Sequence, residues 1–199
     1  MEVTQKRKIK SGRWYKHFVP EPIGGTVVIK TGAGVRDTVN FIPRLIGDTL
    51  DDTRLLAAKL KGSTLRKTCR NIFDFVFDHI RYRKDRAGFE EVRRPARTLW
   101  DQVGDCDCMA TLIGSILTNL KITHSLRVTK YMGRSFFQHI YVIVPNSKGS
   151  HFTIDPVVDW FDHEEPFTGK MDIPMDLHYL NGPEVDSFPA PIADEFDTE

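Results

Sequence analysis

Apolar residues recur at helical spacing in two long stretches of the chain. Leu65, Cys69, Ile72, Phe73, Val76 and Ile80 share one face of a helix opened by Ser63 or Thr64. Met109, Leu112, Ile113, Ile116, Leu117 and Leu120 make the buried stripe of another helix, expected over about 106–120. The pattern then changes to three strand-like runs, 125–131, 136–144 and 150–155. Pro145-Asn146-Ser147-Lys148-Gly149 is a short polar loop suited to a hairpin between the last two. Earlier, 26–30 reads as a strand closed by the turn Thr31-Gly32-Ala33-Gly34. Helices are expected over 35–46 and from Asp51-Asp52-Thr53 to Leu60. Residues 1–25 read as an arm or poorly ordered segment, ending in Pro20-Glu21-Pro22-Ile23-Gly24-Gly25. Arg81 to Asp85 reads as a charged helix end. Beyond Pro156 the chain is expected to be irregular, because Pro166, Pro174, Pro183, Pro189 and Pro191 break any long element. Helices first and strands later predict an α+β fold, with helices packed on one antiparallel sheet.

Three chemically active residues stand at the junctions of these elements. Gly104-Asp105-Cys106-Asp107 immediately precedes the second helical stretch. Asp105 is a good N-cap type, which puts Cys106 in the first turn, where free amides and the helix dipole favour thiolate and can donate to an oxyanion. Cys108 lies about 200° further round the helix and reads as structural. His139 falls on the strand Gln138-His139-Ile140-Tyr141-Val142, and Asp155 closes the next one at Phe152-Thr153-Ile154-Asp155-Pro156. If Val144 pairs with Ser150, antiparallel counting sets His139 opposite Asp155, with Cβ atoms about 4.5–5.5 Å apart. A one-residue slip would put the two on opposite faces. A lone strand histidine reads as a core or surface residue; the opposed Asp and upstream Cys point instead to a nucleophile, a base and its orienter. His151 and Thr153 share the strand face of Asp155 and either line the cleft or face solvent. Asp107 reads as a first-turn charge and Cys69 as a small core hydrophobe. The loop from Asp159 to Glu165 either closes over the cleft or is solvated with Trp160 tucked in.

Composition narrows the alternatives. At 199 residues and 40% hydrophobic the chain can bury a core of its own. No apolar run reaches membrane-spanning length, and no apolar stretch follows the basic start Lys6-Arg7-Lys8-Ile9-Lys10, so a cytoplasmic protein without a leader is expected. Three cysteines make no disulfide framework. A metal site of Cys106 and Cys108 with His139 or His151 lacks the usual ligand spacing and a second ligand pair. The Gly-rich turn at 31–34 lacks the spacing and Lys of a phosphate loop. Neither cofactor nor metal is therefore expected. Net charge is +1, but 6–16 is basic while 184–199 holds six acids and no Lys or Arg. Such arms read as solvated tails rather than as nucleic-acid sites.

The run Arg94-Pro95-Ala96-Arg97-Thr98-Leu99-Trp100, then Gly104-Asp105-Cys106-Asp107, Gln138-His139-Ile140-Tyr141-Val142 and Ile154-Asp155-Pro156, preceded by Ile80-Arg81-Tyr82, resembles the transglutaminase-like superfamily over roughly 53–160. The likeness is to its small bacterial and phage-borne members. It implies a papain-like fold in which Cys106 is the nucleophile, His139 the general base and acid, and Asp155 the orienter. Relatives commonly carry Asp where this chain has Cys108, a position pointing away from the site. Trp100 and Tyr82 are candidates for the second oxyanion donor, though packing roles fit both. The implied organisation is an N-terminal arm and extension over 1–50, a catalytic core over 51–165 and an irregular acidic tail over 166–199. The implied activity is a cysteine peptidase or amidase acting on a peptide or protein through an acyl-enzyme. The alternatives are a protein-glutamine transglutaminase, or a non-catalytic protein of a phage particle with phage or bacterial partners.

Overall fold

The computed structural model describes residues 7–23, 27–31, 35–86 and 88–175. Along the chain lie α1 (Arg13–Lys16), β1 (Val27–Thr31), α2 (Val35–Asp48), a 3-10 turn (Leu50–Asp52), α3 (Arg54–Leu60), α4 (Leu65–His79), β2 (Arg81–Tyr82) and β3 (Phe89–Val92). These are followed by α5 (Pro95–Asp101), β4 (Val103–Gly104), α6 (Cys106–Asn119), β5 (His124–Lys130), β6 (His139–Pro145), β7 (His151–Ile154) and β8 (Gly169–Met175). The main sheet is antiparallel with strand order β7-β6-β5-β8, and helices pack on it, as the α+β expectation requires. Two small pairs complete the architecture: β1 with β3, antiparallel, and β2 with β4, parallel.

Helix α6 occupies the centre. Every residue of it from Asp107 to Thr118 is buried, not only the expected stripe. It packs on β5 and β6 on one side and on α2, α3, α4 and α5 elsewhere. A helix apolar all round is the sequence form of such a position. Most of its polar side chains are matched by neighbours, the buried Thr118 hydroxyl being an exception. Ser115 and Thr53 share a hydroxyl hydrogen bond of 2.7 Å, and the Asn119 amide donates to the Leu50 carbonyl at 2.8 Å. Gly114 lets α2 close in, since a Cβ there would lie 2.7 Å from Ile46 Cδ1.

Helix α4 begins where expected: the Thr64 hydroxyl accepts from the Lys67 N–H at 3.1 Å. Cys69, Ile72, Phe73, Val76 and Ile80 are buried, and Leu65 at the first turn is exposed. Helix α5 is fixed from a distance. Asp52, 1% exposed, takes two hydrogen bonds from the Arg94 guanidinium (2.9 and 2.7 Å) and one from the Ala96 N–H (2.9 Å). The carboxylate thereby caps a helix whose own N-cap, Arg94, has no capping side chain.

Four sequence expectations need correction. Residues 7–20 are no loose arm: the Lys10 N–H donates to the Asp78 carbonyl at 2.8 Å and the Tyr15 hydroxyl to the Leu99 carbonyl at 3.0 Å, with the Tyr15 ring fully buried. The charged stretch after α4 contains β2, whose partner β4 lies too far along the sequence for a local pattern to show it. The region after Pro156 is not irregular throughout, because β8 pairs along the whole of β5. Pro174 is tolerated there because β8 is an edge strand. The β6–β7 register also differs from the assumed one: Val144 pairs with Phe152 and Pro145 with His151. The turn is tightened by the Asn146 side chain, which accepts from the Lys148 and Ser150 N–H groups, so the ladder closes two residues off the expected register. The acidic segment 184–199 lies outside the described residues.

His124, 1% exposed, donates from Nδ1 to the Ile122 carbonyl at 2.8 Å, and its Nε2 has no hydrogen-bond partner. Burial lowers its pKa from 6.5 to about 4. Between those values the unfolded chain binds a proton that the native protein refuses, so stability falls as pH falls through this window. The loss should reach about 3 kcal/mol at pH 4. Urea denaturation of wild type and His124→Gln at pH 7 and pH 4.5 checks this: the acid-induced loss should be smaller in the variant.

Candidate active site

Strand β4 leads directly into α6. The Asp105 side chain accepts from the Cys108 N–H at 3.1 Å, the N-cap geometry expected, and places Cys106 in the first turn. Gly104 makes this junction possible. A Cβ at that position would lie 2.6 Å from Cys108 Cβ, so the strand and the first turn approach closely only through a glycine. Cys108 itself is buried, with its thiol directed to the Glu91 carbonyl at 3.5 Å. Cys69 is buried within the core, while Cys106 is partly accessible.

On the sheet, His139 Nε2 meets Asp155 Oδ2 at 2.7 Å, both side chains nearly buried. The pair is not directly opposed as the sequence suggested. Val142 pairs with Ile154, so β7 ends one residue before Asp155 and the carboxylate reaches back diagonally to His139. A displacement of two residues conserves side-chain parity, which is why the two groups still share a face. Asp155 Oδ1 accepts from the Val157 N–H at 3.1 Å, so both carboxylate oxygens are engaged. With Nε2 committed to Asp155, Nδ1 is the imidazole nitrogen left for a reacting group. The Ile140 N–H, one residue beyond His139, faces the Cys106 sulfur as a hydrogen-bond donor. Helix start and β6 are thus brought together at this point.

The electrostatics differ from the helix-dipole expectation. Burial pushes the Cys106 thiol well above its ordinary range, and the Asp107 and Asp105 carboxylates push it further. Asp107 stands in the first turn, as expected. It is buried, and its Oδ1 accepts from the Cys106 thiol at 3.4 Å. Its own pKa is raised strongly, by burial first, then by Asp105 and Glu90. Asp105 is raised to about 6 by burial and by Asp85. Among the described residues, Asp85, Glu90 and Asp105 each bring a carboxylate oxygen within 4.8 Å of the other two. That is a donor set of the type a hard divalent cation takes. The sequence did not suggest it, because the three residues meet only through the β2–β3 loop.

Of the other candidates, Tyr82 lies beside Gly104 in the β2–β4 pair, within electrostatic reach of both Cys106 and Asp155. Trp100 lies elsewhere, its indole N–H donating to the Pro20 carbonyl at 3.0 Å. Thr153 is buried, and His151 is partly buried beside Arg127 and Glu164. Tyr141, whose ring centroid is 5.5 Å from that of His139, donates to Glu164 at 2.7 Å. Arg127 donates to the same Glu164 oxygen at 2.7 Å, which ties the segment after Asp155 to the sheet. In that segment Phe161 packs on Phe73, and Trp160 is 72% exposed rather than tucked in.

Gly104→Ala should cost about 1–3 kcal/mol by forcing β4 and the α6 start apart. Thermal unfolding should show a fall of about 2–4 °C per kcal/mol, and an unchanged melting temperature would contradict the close approach.

No curated protein matches this chain by sequence. Among solved structures, a candidate protease from Parabacteroides distasonis shares the fold with a TM-score of 0.51 and 11% identity over 69% of this chain. The chain spans 30% of that protein's length. LapG of Legionella pneumophila in its calcium-bound form superposes with a TM-score of 0.44 and 17% identity, over 62% of this chain and 75% of LapG. No helix among the described residues is long and apolar enough to cross a membrane. The transglutaminase-like domain family matches residues 51–169, more than half of the sequence, and the chain belongs to that family.

Proposed function

We propose that the protein is a cysteine hydrolase of peptide or amide bonds, with Cys106 as nucleophile, His139 as general base and acid, and Asp155 as orienter. The observation that carries this reading is the 2.7 Å His139–Asp155 contact, one residue from the backbone N–H that faces the Cys106 sulfur. Cys106 gives its proton to His139 Nδ1 as sulfur attacks the substrate carbonyl. The S–C bond forms, the C–N bond breaks, and the imidazolium returns the proton to the leaving amine. The free N–H groups of the α6 first turn are suited to the developing oxyanion. Water then regenerates the thiol and releases the acid; an amine in its place would give transamidation. The fold shared with a candidate protease favours water and a peptide or protein substrate.

Burial and two carboxylates oppose a free thiolate, so proton transfer to His139 has to supply the compensating charge. Alkylation of Cys106 by iodoacetamide should therefore show a low shoulder near neutral pH, from the Cys106–His139 pair. It should climb steeply only above 9.0, the ordinary value of a thiol. Full reactivity already at pH 5, as in a preformed ion pair, would contradict this. Cys106 should react well before the buried Cys69 and Cys108.

Acylation by p-nitrophenyl acetate, followed by mass spectrometry, tests the roles directly. Cys106→Ala should form no acyl-enzyme and His139→Ala almost none. Asp155→Asn should lose less than the ~10⁴-fold seen for the equivalent change in a serine enzyme, because a helix terminus still supports the sulfur. Release of acetate with or without added cadaverine separates hydrolysis from transfer. Equal acylation of wild type and Cys106→Ala would remove the proposal.

A further inference from the structure

The turn that carries Asp155 is held from outside the family-matched region, by the N-terminal segment. Asp155 to Val158 form a tight turn, closed by the Val158 N–H donating to the Asp155 carbonyl at 3.2 Å. Within it the Val157 N–H holds Asp155 Oδ1 at 3.1 Å while Oδ2 holds His139. The Pro156 and Val157 carbonyls of this turn are engaged from the N-terminal segment. The Arg7 guanidinium donates to both: Nη1 to the Pro156 carbonyl at 2.5 Å and Nη2 to the Val157 carbonyl at 2.7 Å. Nη2 also lies 3.4 Å from Asp159. The Arg7 side chain is only 10% exposed, and its guanidinium carbon stands 3.9 Å over the Phe77 ring of α4. A planar fork gripping two successive carbonyls, with an aromatic face beneath it, fixes a peptide in position and orientation.

The segment behind Arg7 is anchored independently. Lys10 pairs with Asp78 at 2.6 Å, and its carbonyl accepts from the Gln102 amide at 2.8 Å. Gln102 in turn accepts from the Gly12 N–H at 3.2 Å and donates to the His79 carbonyl at 3.0 Å. Trp14 packs edge-on against Phe75 and Tyr15. Arg7 therefore projects from a docked strap rather than from a free end.

We propose that Arg7 is a positioning residue for the reaction. Through the 156–157 peptide it fixes the Val157 N–H, the Val157 N–H fixes the Asp155 carboxylate, and the carboxylate fixes the His139 ring. The N-terminal strap is then part of the working site although it lies outside residues 51–169. This rests on Asp155 being the orienter of His139. A guanidinium that served folding alone would act on stability and leave the Asp155–His139 geometry untouched.

The test uses the full chain and the neutral shoulder of the Cys106 alkylation profile with iodoacetamide. His139, which contacts Asp155, Asp159, which faces Arg7, and Tyr82 and Tyr131, which lie within electrostatic reach of Asp155, are left unchanged. Arg7→Met keeps the aliphatic stem over Phe77 and loses the fork, which guards against simple unfolding. It should lower the shoulder about tenfold and leave the alkaline limb in place, as Asp155→Asn should also do. Arg7→Lys should restore only part of the loss, since one ammonium cannot present two parallel donors. The decisive comparison is the double variant. If Arg7 acts through Asp155, Arg7→Met combined with Asp155→Asn should match Asp155→Asn alone within about twofold. A wild-type shoulder in Arg7→Met, or losses that multiply in the double variant, would overturn the strap and leave the orienter standing. A wild-type shoulder in Asp155→Asn would overturn both, so the two failures are distinguishable.

Discussion

The burial of α6 on every side is the constraint from which the rest of the structure follows. A helix with no solvent face needs a sheet on one flank and helices on the others, and β5, β6, α2, α3, α4 and α5 supply them. Its N-terminus is the end at which the backbone N–H groups have no intrahelical partner. Those donors have to be capped by side chains or used, and here Asp105 caps one of them. The placement of Cys106 in that first turn is therefore a consequence of packing as much as of sequence. Burial fixes the helix, the helix fixes the direction of its free amides, and the sheet it packs on brings His139 alongside.

The same burial sets the site's chemistry against itself. Asp105, Asp107 and Cys106 are adjacent acids in a poorly solvated place: burial raises the pKa of all three, Asp105 raises the other two, and Asp107 raises Cys106. A helix dipole contributes about half a unit charge, spread over its first turn, which is a small term beside the desolvation of a thiolate flanked by two carboxylates. In the proposed mechanism the reactive form of the sulfur thus depends on the imidazole, and the imidazole depends on what holds it. Both oxygens of Asp155 are used for that purpose, one on the ring and one on its own turn.

Long-range polar contacts fix the segments that local pattern leaves undefined. Asp52 orders the start of α5 across 42 residues and Arg7 reaches the turn after Asp155 across 149. Arg127 gathers Asp172 of β8 and Glu164 of the preceding segment onto the sheet, its guanidinium bidentate to Asp172 at 2.6 and 2.7 Å. These guanidinium–carboxylate and guanidinium–carbonyl forks specify geometry by their planarity. They order the chain on either side of the hydrophobic core, where apolar periodicity is weak.

What the sequence determined is what local periodicity and end chemistry encode. The apolar stripe at 3.6-residue spacing gave α4, and the Thr64 and Asp105 caps gave the starts of α4 and α6. Strand-like runs bounded by turn residues pointed to β5, β6 and β7, and the order of Cys106, His139 and Asp155 along these elements suggested a site. The face shared by His139 and Asp155 was legible because parity survives a two-residue error in register. Tertiary structure decided the rest. The register itself depended on the Asn146 turn, β2 and β8 depended on partners 22 or more residues away, and the ionisation of Cys106 depended on burial that no motif records. The basic N-terminal residues looked like a solvated arm because their partners, from Phe77 to Val157, are assembled only by the folded core. A local pattern reports what a segment can become; which charge a buried group carries, and which carbonyl a distant arginine finds, are properties of the packed whole.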